Sequence, residues 1–120
     1  MTKTALVADD ASYIREDIKD ILEDQGYEVY EAADGMEAFE MYKKVKPTIV
    51  TMDINMPRVH GIKATQLITD YDPQAKVMLC STMITFQNYI KMGKEAGAKG
   101  FLSKPFTDEE FMNELSKLFL

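Results

Sequence analysis

Polar residues suited to phosphoryl-transfer chemistry follow four of the five short apolar runs in this chain. Asp9 and Asp10 follow the first run, Asp53 the third, Ser81 the fourth and Lys104 the fifth. A carboxylate can act as a covalent nucleophile that forms an aspartyl phosphate. An ammonium group can neutralise the charge of the transferring group, and a hydroxyl can hydrogen-bond one of its oxygens. These residue types predict a site that accepts a phosphoryl group.

The three carboxylates also predict a site for a divalent cation. Crowded carboxylates repel one another, so without a cation the pKa of at least one of them is raised. Mg²⁺ prefers oxygen ligands and is commonly held by one or two carboxylates together with phosphate oxygens and water. Zinc is disfavoured because the chain has one histidine and one cysteine, too few for a cluster of its usual ligands. We therefore expect Mg²⁺ beside these acids.

Short β-type runs alternate with stretches of helical periodicity along the whole chain. The runs are Thr4–Ala8, Glu28–Ala32, Thr48–Met52, Lys76–Cys80 and Lys99–Ser103. Strict β-α alternation predicts an α/β fold, a doubly wound parallel sheet with helices on both faces and right-handed crossovers. In such a sheet all strands end at one edge, where ligands bind. The fold therefore brings together polar residues that are far apart in sequence.

Local signals mark several helix ends. Asp34 and Thr107 each stand three residues before a glutamate, which is the spacing of a capping box. Phe106 and Phe111 occupy the positions of a hydrophobic staple around the second of these boxes. Gly26 follows the first helical pattern, where a left-handed cap is expected. The third helical stretch has the least clear pattern.

Length and composition predict one soluble domain spanning residues 1–120. The chain is 46% hydrophobic and 28% charged, with a net charge of −6, which disfavours nucleic-acid binding. No apolar run approaches the ~20 residues of a membrane span, and no secretion signal precedes Asp9. A cytoplasmic location is therefore expected. Met1 and the closing segment 118–120 suggest a complete protein, and Cys80 is predicted to be a buried apolar residue.

The motifs resemble those of the receiver domain of two-component response regulators, especially its stand-alone chemotaxis members. They are the acid pair Asp9-Asp10, the stretch Met52–Pro57 with Gly61 after it, Ser81, and Lys104-Pro105. The resemblance covers essentially the whole chain. It implies a flavodoxin-like fold with five helices and strand order 2-1-3-4-5. It also implies a signalling switch that catalyses only its own Mg²⁺-dependent phosphorylation and dephosphorylation.

The same resemblance assigns roles to individual residues. Asp53 is the expected phosphoacceptor, with Ser81 and Lys104 contacting the phosphoryl group. Asp10, Asp53 and the backbone carbonyl of Asn55 are the expected Mg²⁺ ligands, assisted by Asp9. The expected switch residues are Ser81 and Phe101.

The resemblance further implies that the phosphoryl donor is a histidine kinase. The output surface would comprise helix four, strand five and helix five, binding an output protein such as a flagellar motor switch component. The chain is expected to be a monomer, without nucleic-acid or membrane partners. Lys91, Lys94, Lys99 and Lys117 would make this surface locally basic.

Several positions depart from the best-known members of the family. Phe101 lacks the hydroxyl of the tyrosine often found there, so it would switch through packing alone. Thr82 is bulkier than the small residue that the family favours. Asn55 and Met83 flank the expected path of attacking water and are predicted to set the lifetime of the phosphorylated state. His60 is interpreted as a solvated loop residue. In helix four, either Tyr89 or Ile90 is the exposed hydrophobe.

Three other functions use similar residues or a similar fold. The first is a phosphorelay intermediate that passes the group to a second histidine protein, which sequence alone separates poorly from a diffusible switch. The second is a dehalogenase-type phosphatase, which would need an acid where Asn55 stands. The third is a flavodoxin-like cofactor module, in which the acids at the sheet edge would repel a phosphate in the absence of a metal.

Overall fold

Five parallel strands form one sheet in the order β2-β1-β3-β4-β5. The computed structural model describes residues 3–82 and 87–120, except the side chain of Gln87. The strands are β1 (Lys3–Ala8), β2 (Tyr27–Ala32), β3 (Ile49–Met52), β4 (Val77–Ser81) and β5 (Gly100–Ser103). The expected strand order and the parallel pairing are confirmed. The fourth strand runs one residue further than predicted, so Ser81 is its last residue.

Helices cover both faces of the sheet. They are α1 (Ser12–Asp24), α2 (Gly35–Val45), α3 (Gly61–Tyr71), α4 (Gln87–Glu95) and α5 (Asp108–Ser116), followed by a 3-10 turn (Lys117–Phe119). Within the ranges that the structure describes, no helix has both the length and the apolar character needed to cross a membrane.

The core has two parts because successive residues of a strand point to opposite faces. In β1, Leu6 and Ala8 belong to the cluster beneath α2, α3 and α4, whereas Ala5 and Val7 belong to the cluster beneath α1 and α5. All four are essentially inaccessible to solvent. Burial on both faces explains why these strands are almost continuously apolar in sequence. Cys80 is buried in the second cluster, as predicted.

The predicted capping box is complete at α5, whereas α2 shows only its N-cap half. The Asp34 carboxylate accepts a hydrogen bond from the N–H of Glu37 (2.8 Å). Thr107 and Glu110 form the reciprocal capping box, at 2.8 and 3.1 Å. These bonds satisfy N–H groups that have no partner within the helix. The segment that follows Lys104 is thus held in place at the start of α5.

Two local predictions are revised by the structure. His60 is half-buried rather than solvated, because its Nδ1 accepts the Ile62 N–H (3.3 Å) at the start of α3 and its ring stacks on Tyr89. In α4, both Tyr89 and Ile90 pack against the core, and Met92 is the exposed hydrophobe (47% exposed). The helical periodicity of the sequence alone did not show which side chains of α4 face the core and which face solvent.

Candidate functional site

Three carboxylates meet at the C-terminal ends of β1 and β3. These strands are neighbours, with Ala8 paired to Met52, so the residues that follow them lie side by side. One oxygen from each of Asp9, Asp10 and Asp53 lies within 4.8 Å of the other two. Asp9 and Asp53 are 2% and 8% exposed, whereas Asp10 is exposed. The cluster is therefore buried on one side and open to solvent on the other.

Lys104 is the cation of this cluster. Its Nζ donates a hydrogen bond to Asp9 and lies 3.5 Å from Oδ1 of Asp53. Burial by itself would lower the pKa of Lys104, but the hydrogen bond to Asp9 and the charges of both carboxylates outweigh it and raise that pKa. The side chain therefore remains an ammonium at neutral pH and compensates two buried acids.

Opposing effects act on the pKa of the Asp53 carboxylate. Burial is the largest and raises its pKa, and the charge of Asp9 acts in the same direction. The charge of Lys104, a hydrogen bond from Ser81 and another from the Ile54 N–H favour the ionised form. The net result is a raised pKa. Asp53 is thus poorly hydrated, as suits a nucleophile at the base of a cleft.

The loop after Asp53 is anchored closely beneath the site. The Gly61 N–H donates to the carbonyl of Ile54 (2.7 Å). A Cβ at position 61 would lie 1.8 Å from the carbonyl oxygen of Asp53, so only glycine permits this approach. Ile54 and Met56 are buried, and Asn55 between them is exposed. This alternation places Asn55 on the solvent side of the loop, where it lines the same cleft as the carboxylates.

A cleft of about 720 Å³ gives access to the cluster, between α1 and the loop after β5. Six predicted site residues line it: Asp9, Asp10, Asp53, Asn55, Ser81 and Lys104. Thr82 also lines the cleft and is exposed. The structure therefore brings together the residues predicted for phosphoryl and metal chemistry. Met83, predicted to influence the lifetime of a phosphorylated state, falls outside the described residues.

Phe101 lies on β5, directly beside Leu79 of β4. Its ring is half-buried and packs closely against Gly93 of α4, where an added Cβ would lie 2.8 Å from Cε1. Its N–H donates to the Glu114 carboxylate of α5 (3.0 Å). Phe101 thus contacts both helices of the predicted output surface.

Arg15 of α1 was missed by the sequence analysis. Its guanidinium donates to the backbone carbonyl of Asp9 (2.7 Å) and to Glu31 (3.0 Å). The available signal was an arginine in the first turn of a helix that begins just after an acid pair.

Comparisons with known proteins agree with this geometry. The model of the response regulator receiver domain matches residues 5–116. The chain is 46% identical over 119 residues to the chemotaxis protein CheY of Thermotoga maritima, and 42% identical over 118 residues to that of Bacillus subtilis. Each alignment covers 98% of both proteins.

Solved structures give the same result. CheY in a CheX-CheY-BeF3-Mg complex from Borrelia burgdorferi has a TM-score of 0.93 at 29% identity, over 98% of this chain and 90% of that one. CheY4 of Vibrio cholerae has a TM-score of 0.91 at 30% identity, over 98% and 99% respectively. This chain therefore belongs to the family of response regulator receiver domains, and within it to the CheY-like, chemotaxis-type members.

Proposed function

We propose that this chain is a phosphorylation-activated switch that accepts a phosphoryl group on Asp53 from a histidine kinase. It signals by binding another protein, in chemotaxis or flagellar motor control. The observation that carries the proposal is the environment of Asp53. This nearly buried carboxylate is at the base of an open cleft, beside the Lys104 ammonium and the Ser81 hydroxyl. A residue that only formed a turn would need none of these partners.

In the proposed reaction, a carboxylate oxygen of Asp53 forms a bond to phosphorus while the bond from phosphorus to the donor imidazole nitrogen breaks. Lys104, 3.5 Å from Asp53 Oδ1, balances negative charge on the transferring group. The Ser81 hydroxyl, which favours the ionised form of Asp53 and lines the same cleft, would hydrogen-bond a phosphoryl oxygen. Ser81 is paired with Ser103, two residues after Phe101 on β5, so a shift of Ser81 would change the packing of that strand.

The acid cluster fits Mg²⁺. Three carboxylates against one ammonium leave two formal negative charges at the end of the sheet, and all the side-chain donors are oxygens, as this ion prefers. Asp9, Asp10 and Asp53 would hold the ion, with the backbone carbonyl of Asn55. When bound, Mg²⁺ supplies positive charge that stabilises phosphoryl oxygens.

The product is proposed to be a persistent signal rather than a turnover intermediate. Asn55, two residues after Asp53, has no carboxyl group that could donate a proton to a leaving group or accept one from attacking water. The chain would therefore catalyse only its own phosphorylation and slow dephosphorylation. Asn55, Thr82 and Met83 are the residues proposed to control the approach of water.

Output is proposed to occur through the surface formed by α4, β5 and α5. Exposed lysines (Lys91, Lys94, Lys99 and Lys117) and exposed acids (Glu95, Asp108, Glu109 and Glu110) lie there or beside it, so this surface offers both charges to a protein partner such as a motor switch component. CheY of B. burgdorferi is bound to CheX in its crystal structure, which supports protein binding as a mode of action for this chain. A monomer acting in the cytoplasm accords with this role.

Intact mass measurement after exposure to acetyl phosphate tests the proposal. We expect a gain of one phosphoryl group that requires Mg²⁺ and is lost in Asp53→Asn. Asp70→Asn is the matched control, because Asp70 is an exposed acid on α3, outside the cleft, and it should be phosphorylated normally. A gain without Mg²⁺, or one that persists in Asp53→Asn, would contradict the proposal.

A further inference from the structure

Arg15 connects three elements around the acid cluster. It lies in the first turn of α1, and its side chain is 18% exposed. One guanidinium nitrogen, Nη1, donates to the carbonyl oxygen of Asp9 at 2.7 Å, and Nε donates to Glu31 of β2 at 3.0 Å. The shorter bond, to Asp9, has the length of a charge-assisted hydrogen bond. Arg15 therefore ties the end of β1 to α1 and to the neighbouring strand.

The stability of α1 does not account for an arginine at this position. The N-terminal end of a helix carries partial positive charge, so a cation in the first turn is unfavourable there. The first turn of α1 contains no acidic residue, and the acid that Arg15 contacts, Glu31, lies on β2. From this position the Arg15 guanidinium can hydrogen-bond the peptide between Asp9 and Asp10.

With Arg15 included, every polar group of Asp9 has a partner. Its N–H donates to Ala32, one carboxylate oxygen accepts the Ala11 N–H (2.9 Å), and the other accepts Lys104. The remaining carbonyl accepts Arg15. That carbonyl belongs to the peptide unit between Asp9 and Asp10, where the chain leaves the sheet. The orientation of this peptide therefore determines the position of the Asp10 backbone.

We propose that Arg15 is a positioning residue that fixes the peptide between Asp9 and Asp10 and so sets the direction in which both carboxylates leave β1. This inference rests on the proposed function, because it concerns the Mg²⁺ site formed by these acids. Hydrogen-bonding partners that orient metal ligands commonly change metal affinity by 10- to 100-fold when they are removed.

If Arg15 orients the ligands, its removal should change Mg²⁺ affinity in the direction opposite to the change that charge alone would cause. Removing a cation near a Mg²⁺ site strengthens Mg²⁺ binding if charge alone matters. Removing a residue that orients the ligands weakens it. Lys19 is the matched control, because it is a cation on the same helix and pairs with the same acid, Glu31 (3.8 Å).

The test is calorimetric titration of the full chain with Mg²⁺ alone, with thermal unfolding as the check on folding. We expect Arg15→Ala to weaken Mg²⁺ binding by about 10-fold, while Lys19→Ala stays within about twofold of the unaltered chain or binds more tightly. Arg15→Lys keeps the charge but not the planar fork, so its loss of affinity should be smaller than the roughly 10-fold loss of Arg15→Ala.

Unchanged or tighter Mg²⁺ binding by folded Arg15→Ala would overturn the inference. If Arg15→Ala does not fold, Arg15→Lys serves as the test variant. A Mg²⁺ affinity of Arg15→Lys equal to that of the unaltered chain would then refute the positioning role. Absence of Mg²⁺ binding by the unaltered chain would refute the proposed metal site as well. A failure confined to Arg15 is thereby distinguishable from a failure of the proposed function.

Discussion

Replacing Lys104 with methionine should destabilise the folded chain strongly, since it removes the ammonium that lies between two buried carboxylates. The side chains of Asp9 and Asp53 are only 3% and 10% exposed, and that of Lys104 is 12% exposed. Methionine preserves most of the volume, so the change isolates the charge. Two carboxylates would then remain at the end of the sheet without their ammonium partner.

The magnitude follows from the distances and the burial. At 3.5 Å and an effective dielectric constant of about 20, the attraction between Lys104 and Asp53 alone is about 5 kcal/mol. Relief of the desolvation of Lys104 offsets part of this loss, and breaking one partner out of a buried pair typically costs about 3–5 kcal/mol. We therefore expect Lys104→Met to lower the free energy of unfolding by about 3 kcal/mol. At about 4 °C per kcal/mol, the Tm would fall by about 12 °C.

Thermal and urea unfolding at pH 7, with and without millimolar Mg²⁺, measure this effect. The pKa of Lys104 is raised in the folded state, so its contribution is complete at neutral pH and is lost only as pH rises through that raised pKa. Mg²⁺ should stabilise the variant more than the unaltered chain, because it restores positive charge to the cluster.

Lys117→Met is the matched control for Lys104→Met. Lys117 is 59% exposed and pairs with Glu114 at the surface, so its loss should cost less than about 1 kcal/mol. A Lys104→Met variant as stable as Lys117→Met would refute the argument that Lys104 compensates the buried acids.

Two further predictions concern groups outside the acid cluster. Thr51→Val should raise the free energy of unfolding by about 1 kcal/mol in urea titrations, because the buried Thr51 hydroxyl has no hydrogen-bond partner among the described residues; a loss of stability would contradict this. Tyr42→Phe removes the hydrogen bond that most lowers the pKa of Asp72 and should cost about 1 kcal/mol at pH 7. Since a lowered carboxyl pKa gives stability that is lost as pH falls through it, the difference between Tyr42→Phe and the unaltered chain should shrink below about pH 4. A difference independent of pH would contradict that assignment.

Strand ends made the candidate site predictable from sequence. Asp9, Asp53 and Ser81 each follow or close an apolar run, and parallel strands bring such positions to one edge whatever their separation along the chain. The Thr107 capping box was equally accessible, because its partners are three residues apart and the bonds are local. The first inference needed only the order and direction of the strands, and the second only the spacing of two residues.

Contacts that depend on side-chain reach were not predictable. The sequence predicted that Lys104 lies at the site, but it did not predict the hydrogen bond from Lys104 to Asp9. That bond depends on the relative heights of β1 and β5, which no local pattern encodes. Arg15 binds a backbone carbonyl, which carries no signature in residue types. His60 caps a helix and stacks on Tyr89, 29 positions further along the chain, so its burial depends on the packing of α3 against α4.

Locating the phosphoryl group within the chain tests the central claim most directly. After treatment with acetyl phosphate and Mg²⁺, borohydride reduces an aspartyl phosphate to homoserine, and peptide mass spectrometry then identifies the reduced position. We predict homoserine at position 53 and unchanged aspartate at positions 9 and 10. Reduction at Asp9 or Asp10, or at no aspartate in a sample whose intact mass shows the phosphoryl group, would contradict the assignment of Asp53 as the phosphoacceptor.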